Sequence, residues 1–531
     1  MFDSSTKFLL FLLPALVSAA IYIRVAKAHR RNDSQTQADI EYINTFHCMP
    51  LKRLPYKWPF ALDLLWEAYN HAVDGRILRF FTMLITPLPP TFEQKLLGTR
   101  GIDTIDPKII EAILSTQFKG FGMGDRPAVW KPFIGPGIFT QDGNDWKHSR
   151  DLLRPLFMSR RAENFLEIQE SAEALVKCIP DGKIVDFQPL MFGFTLDTTM
   201  YLLFGRAIRS LGDGNKEAKA FGEAFRISQE YLSHRGRLGP LHWLLNPKRF
   251  RDSNAVVHKW IDKEIEEALN DYNSSRNSAE SRMATNYGFL GNLLGDTQDP
   301  KVLRDALLNV LLAGRDTTGC LLTWTMRLLV KHERVMSKLK DEVRRIVGVG
   351  SEARTPDRND IKKMQYLSYI LKEVLRLYPS VPINSRTAIK TTVLPTGGGP
   401  DSTSPILVKE GTPVGYAVYA MHRRKELYGN DAELFRPERW DPQEDTNSID
   451  LKNIGWGYLP FNGGPRTCIG QDFAFLESSY VVVRLLQEFR SFECDPARPM
   501  PAPGQERQDV TLVLASGDGC WILTERTRKR E

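Results

Sequence analysis

One cysteine in this chain is set up for chemistry. The run Phe461-Asn-Gly-Gly-Pro-Arg-Thr-Cys468-Ile-Gly470 places Cys468 in a glycine-rich turn directly before an apolar helical stretch. Gly463, Gly464 and Gly470 allow backbone conformations and close approaches that a side chain would forbid. Near a helix N-terminus, peptide N–H groups point at the sulfur, and with the helix dipole they favour thiolate over thiol. A fixed, hydrogen-bonded thiolate is the fifth ligand that a haem iron needs for O–O cleavage. A lone cysteine in a turn is also an ordinary core residue, so other motifs must decide.

A second constellation sits in the middle of a long helical pattern, Leu303–Leu329: Ala313-Gly-Arg-Asp316-Thr317-Thr318. A glycine inside a helix costs about 1 kcal/mol relative to alanine and needs a reason. Space for a ligand beside Ala313 and Gly314 is one. Thr317 can bond the Ala313 carbonyl four residues back and bend or bulge the helix there. Asp316 can relay protons and Thr317 can hold the oxygen that receives them. A buried helix with a weak spot and an exposed Arg-Asp pair is the plainer reading of the same letters.

These runs resemble the signatures of the cytochrome P-450 superfamily. The haem-binding pattern F-x-x-G-x-R-x-C-x-G is met at Phe461, Gly464, Arg466, Cys468 and Gly470, and the oxygen-binding pattern A-G-x-D-T-T at Ala313–Thr318. Glu373 and Arg376 match E-x-x-R, and Phe435-Arg-Pro-Glu-Arg439-Trp440 matches the later arginine element, with Trp440 where Phe is commoner. The resemblance implies a buried network of Glu373, Arg376 and Arg439. Trp146-Lys-His-Ser-Arg150 matches W-x-x-x-R. With Arg466 it suits the two haem propionates, since guanidinium forks pair with carboxylates; a surface-helix pair is the alternative. The implied metal ligand is Cys468, the implied cofactor heme b, and the implied proton carriers are Asp316 and Thr317.

The elements that must position these groups are mostly helical. Clear helical patterns are Phe165–Lys177, Asn254–Leu269, Leu303–Leu329 and Tyr366–Leu377. Between Thr391 and Tyr419, short strand-like runs are split by turns. Helices with a small β appendage argue for a mainly α fold with a small β subdomain. The resemblance makes this the triangular prism of the P-450 fold, preceded by one N-terminal transmembrane helix. The expected divisions are 1–31 (membrane anchor and basic flank), 32–60 (linker) and 61–531 (haem-binding monooxygenase domain).

The anchor is read from Phe8–Ile23, an uncharged apolar run about 24 Å long as a helix. Arg24, Lys27, Arg30 and Arg31 follow it, so the positive-inside rule puts the rest of the chain in the cytosol. A cleaved signal peptide ending near Ala20 is the competing reading. The six cysteines are scattered, with no C-x-x-C pair, which suits a reducing compartment. A net charge of +7 fits an anionic membrane surface or an acidic protein partner. No zinc-finger, RNA-binding or basic-zipper pattern appears, so nucleic acid is not an expected partner.

The resemblance is strongest to the fungal family that hydroxylates n-alkanes and fatty acids, carried by stretches such as Gly137–Pro155, Asp299–Thr318 and Met421–Gly429. It implies insertion of one atom of O2 into an aliphatic C–H bond of a lipophilic substrate, at a chain end, in the endoplasmic reticulum membrane. No flavin or nicotinamide motif is visible, so electrons come from a separate NADPH–cytochrome P-450 reductase, with cytochrome b5 as a further candidate partner. The same motifs occur in tailoring oxidases of polyketides and other secondary metabolites, which is the alternative substrate class.

Overall fold

The computed structural model describes residues 36–158, 162–212, 215–275, 287–443, 451–501 and 504–527. The expected anchor, 1–31, lies outside them. Among the described residues, no helix is long and apolar enough to cross a membrane. Two compact units form: Met1–Gly124 with Ile383–Ala417, and Asp125–Pro382 with Val418–Glu531.

In the first unit the stretch expected as linker carries a helix, α1 (Gln37–Phe46). Thr36 and Asp39 cap it reciprocally, each side chain accepting the other's backbone N–H at 3.2 and 2.8 Å. Two short helices follow, α2 (Leu62–Val73) and α3 (Ile77–Ile85). A five-stranded sheet runs in the order β1 (Thr91–Leu96), β2 (Thr99–Thr104), β7 (Pro413–Tyr416), β4 (Asn384–Ala388), β3 (Phe121–Gly122). β5 (Thr392–Gly398) and β6 (Ser404–Val408) pair by themselves. The strand-like texture after Thr391 is therefore real. β1 to β4 carry no clean alternation and are set by pairing instead. Leu97 and Gly98, both at positive φ (49° and 80°), turn β1 into β2, as a tight hairpin requires.

The second unit is helical. Its main elements are α4 (Gly143–Met158), α5 (Phe187–Phe204), α6 (Lys216–Leu238), α7 (Pro300–Lys331), α8 (Gln365–Leu377) and α9 (Gln471–Glu488). The four helical patterns read from sequence fall inside Ala162–Cys178, Lys248–Ser275, α7 and α8. Asp299 caps α7, accepting the Lys301 N–H at 2.8 Å, with Pro300 at the first helical position. α5 is mostly apolar, α7 is apolar along most of its length with several charged groups, and both are largely buried, so they form the centre of this unit.

Glycines let these two helices touch. A Cβ at Gly314 would lie 2.6 Å from Thr199 Oγ1, and one at Gly319 would lie 2.4 Å from the Phe192 ring. Gly314 thus serves the contact with α5, not the ligand space expected from sequence. Phe133, Phe221 and Phe225 sit in the main core, each fully buried, which is worth about 1.5–3 kcal/mol per side chain. Near the end of the chain Trp521–Arg526 pairs antiparallel with Lys183–Asp186 on one side and Phe489–Cys494 on the other.

Candidate functional site

The turn before α9 is built to present a sulfur. Gly464 has φ +66°, a left-handed conformation that glycine adopts without strain. Gly463 is held against Trp456: a Cβ there would lie 2.2 Å from the indole. Gly470 is different, since a Cβ would meet Phe157 at 3.4 Å and its φ is ordinary. The Cys468 N–H donates to the Phe461 carbonyl at 2.9 Å and closes the turn. Cys468 lies deep within surrounding atoms, yet its surface is accessible, and it is in no disulfide.

Burial raises the Cys468 thiol; the Gly470 N–H and the Arg150 charge pull against that and do not overcome it. Coordination to a cation deprotonates a thiol outright, and these donors then stabilise the anion. An accessible sulfur with a backbone donor and a nearby guanidinium fits a haem ligand.

Around this sulfur the structure gathers Trp146, Arg150 and Arg466. The Arg466 guanidinium lies 4.5 Å from the Trp146 ring centre, and Arg150 lies 5.8 Å from it. Arg150 donates to the Thr467 carbonyl at 2.8 Å. Arg466 donates to the Gln141 carbonyl at 2.9 Å and pairs with Asp142 at 2.7 Å. Both cations therefore have protein partners, and because Trp146 is buried, Trp146 and Arg150 are not a surface-helix pair.

On α7, Thr317 Oγ1 donates to the Ala313 carbonyl at 2.7 Å, the bond expected from sequence. The helix nevertheless runs unbroken from Pro300 to Lys331, without the expected bulge. Ala313 and Thr317, one turn apart on one face, keep partial access, as Gly314 does, in the otherwise buried middle of the helix. Ser380 Oγ donates to the Thr317 carbonyl at 2.9 Å and ties the segment after α8 to this turn. Asp316 is buried, not exposed as the plainer reading had it, and pairs with Arg315 at 2.7 Å.

Beneath the turn lies the acid–base network implied by the resemblance. Glu373 and Arg376 are fully buried and form two bonds of 2.9 Å. Arg439 Nε and the Arg436 N–H reach Glu373 Oε1 at 2.9 and 3.0 Å. Trp440 Nε1 donates to Oε2 at 2.9 Å, a bond that Phe at this position could not make. Burial would raise the Glu373 carboxyl, but Arg376 and Arg439 outweigh it and hold it below its ordinary value.

Two polar groups here escaped the sequence reading. His422 joins the network to the turn: Nδ1 donates to the Arg376 carbonyl at 3.1 Å, and Nε2 accepts the Leu459 N–H at 2.8 Å. Burial and the neighbouring Arg376 push its pKa down to about 3, so the ring is neutral. Glu477 on α9 accepts hydrogen bonds from Thr198 of α5 and Thr318 of α7. Burial pushes it up to about 8. In the sequence, His422 was one letter of a familiar stretch and Glu477 one acid in an apolar helix.

These two shifts set opposite pH slopes. His422 stabilises the fold fully above its ordinary 6.5 and loses that contribution as pH falls toward about 3. Glu477 stabilises it fully below its ordinary 4.5 and loses that as pH rises through about 8. Between these ordinary values the slopes cancel; above them only the Glu477 slope is left, approaching about 1.4 kcal/mol per pH unit. Urea unfolding at a series of pH values is expected to show a steeper loss toward mild alkali in the parent than in Glu477→Gln. Parallel curves would mean that Glu477 ionises normally.

The model of the family described as Cytochrome P450 matches residues 53–516. A protein named Cytochrome P450 from Arthroderma benhamiae is 48% identical over 503 residues, 94% of this chain and 96% of the relative. Cytochrome P450 52A5 from Candida maltosa is 43% identical over 476 residues, 86% of this chain and 88% of the relative. Among solved structures, the cytochrome P450DA heme domain matches with a TM-score of 0.73 at 21% identity, covering 91% of this chain and 99% of that one. This last likeness is one of fold.

Proposed function

Because the chain belongs to the cytochrome P450 family, we propose that Cys468 is the thiolate ligand of its haem and that Asp316 and Thr317 carry protons during hydroxylation of an aliphatic chain. The family's enzymes are monooxygenases and oxidoreductases that hold haem through a cysteine thiolate, and the chain shares their mainly helical fold with a small β region. The observation that carries the ligand assignment is the accessible Cys468 sulfur at the end of a glycine-shaped turn. When bound, the haem supplies the redox chemistry by which one oxygen atom enters the substrate and the other leaves as water.

The protein's own groups do the rest. The Gly470 N–H and Arg150 steady the charge on Cys468. Arg466, Arg150 and Trp146 would hold the haem carboxylates, Arg466 also being braced by Asp142. Phe461 and Gly464 shape the turn. Thr317, whose hydroxyl hydrogen is given to the Ala313 carbonyl, offers its oxygen as a hydrogen-bond acceptor on the partly accessible face of α7. Electrons come from a separate NADPH–cytochrome P-450 reductase. Thr317→Ala is expected to keep a normal carbonyl-haem spectrum but to lower productive turnover by about 10²-fold or more, with NADPH consumed into hydrogen peroxide. Full coupling in that variant would remove Thr317 from proton transfer.

The aliphatic substrate is supported by the motif stretches shared with the fungal alkane and fatty-acid hydroxylases and by the long match to the Candida maltosa relative. A place at the endoplasmic reticulum membrane is supported by the apolar run 8–23 and by exposed apolar groups soon after it. Trp58, Leu62, Trp66 and Tyr69 line a shallow apolar hollow on and beside α2; aromatic residues of this kind favour a membrane–water interface. The deciding experiment co-expresses the full chain with a fungal reductase, supplies NADPH with n-alkanes and saturated fatty acids of graded length, and reads products by mass spectrometry. Primary alcohols or ω-hydroxy acids are expected. No product from a preparation with a normal carbonyl spectrum would transfer the assignment to a secondary metabolite.

A further inference from the structure

Arg315 and Asp316 are both buried on α7, 7% and 2% exposed. Consecutive helical side chains diverge by about 100°, so their contact is not a default of the helix. It is imposed from outside. The Arg315 guanidinium lies 5.4 Å from the Phe192 ring of α5 and 5.4 Å from the Phe225 ring of α6. Thr195 Oγ1 also donates to the Arg315 carbonyl at 2.7 Å. From this clamp, Arg315 Nη1 donates to Asp316 Oδ1 at 2.7 Å.

The pair is incomplete. Asp316 Oδ2 and Arg315 Nε are buried without a hydrogen-bond partner among the described residues. A buried ion pair serving stability alone satisfies its remaining lone pairs and protons. Here one oxygen is fixed and the other is buried without a partner, in the residue that precedes Thr317 in the chain. We propose that Arg315 is the positioning residue for Asp316: clamped between Phe192 and Phe225, it holds Oδ1 and leaves Oδ2 as the oxygen that exchanges protons. This rests on the reading of Asp316 and Thr317 as proton carriers.

Burial raises the Asp316 carboxyl, and Arg315 is the one group that lowers it. The other titratable groups facing the pair are Glu223 of α6, which Arg315 helps to lower, Cys320 one turn along α7, and Glu477 of α9, bonded to Thr318. Asp509 acts on the same Cys320. The α5 residues against this stretch, Phe192, Thr195 and Thr199, do not ionise in the working range. Without Arg315, burial acts unopposed and Asp316 keeps its proton to higher pH.

The test compares the full-length holoenzyme with Arg315→Met, Arg315→Lys and Asp316→Asn. Infrared difference spectra over pH follow the carbonyl stretch of a protonated carboxyl; the component missing in Asp316→Asn belongs to Asp316. Its midpoint is expected to rise by about one pH unit or more in Arg315→Met, and the pH profile of product formed per NADPH should move with it. Lysine keeps the charge but not the planar fork between rings, so Arg315→Lys should shift the same way by less; if Arg315→Met does not fold, this smaller shift decides. An unmoved midpoint in a folded Arg315 variant, with coupling impaired in Asp316→Asn, overturns this inference alone. Unimpaired coupling in Asp316→Asn overturns the proton-carrier reading and the inference with it.

Discussion

Cys468→Ala abolishes hydroxylation, and any haem that the variant retains lacks the red-shifted Soret band of a thiolate-ligated ferrous carbonyl. That is the largest effect expected from a single substitution. The turn would survive the change, because its closing bond uses the Cys468 N–H and the Phe461 carbonyl, which alanine leaves in place. Gly464 at positive φ and Gly463 against Trp456 are likewise untouched. The variant therefore isolates the sulfur: circular dichroism should match the parent while the band is gone. Retention of the band would mean that another group ligates the iron. The other cysteines are poor substitutes, since Cys320 and Cys520 are fully buried and their thiols are pushed well up by burial.

Glu373→Gln should be the most damaging change away from the sulfur. The carboxylate accepts from Arg376 twice, and from Arg439, the Arg436 N–H and Trp440. Glutamine offers one acceptor oxygen and turns two donors toward guanidinium groups. Arg376 and Arg439 are 0% and 2% exposed, so Arg376 would be left as a buried cation without its carboxylate and Arg439 with only Asp431, at 3.4 Å. Breaking a buried pair in this way costs about 3–5 kcal/mol, a large part of the stability of an ordinary domain. Arg376 also donates to the His422 and Ala432 carbonyls, and His422 holds the Leu459 N–H two residues before Phe461. Disorder would therefore reach the cysteine turn, and haem retention should fall together with the unfolding midpoint. A Glu373→Gln protein within about 1 kcal/mol of the parent by urea unfolding would show that the network does not need its charge.

The spacing of residues along the chain carried a great deal of this. Phe461 to Gly470, Ala313 to Thr318, and Glu373 with Arg376 are local patterns, and local patterns are fixed by helix pitch and turn geometry. Their contacts came out as expected in the Thr317–Ala313 bond and in the meeting of Glu373 with Arg376 and Arg439. The strands were only partly legible. β5 to β7 announce themselves through β-branched residues and turns, whereas β1 and β2 carry charges without a clean alternation, and β2 also takes a partner, β7, distant in the chain.

What sequence by itself determined is the chemical inventory: which sulfur, which acid and hydroxyl, which charged triad, and how far apart they lie on their own helices. Tertiary structure decided how each group behaves. It turned Gly314 toward Thr199 instead of a ligand, kept α7 unbroken, and buried Asp316 against an arginine clamped by two rings from other helices. It also made His422 neutral and Glu477 protonated. The reason is the same in each case. Bonding geometry within a turn depends on neighbours in the chain, but desolvation and charge pairing depend on what other segments bring to within a few ångströms.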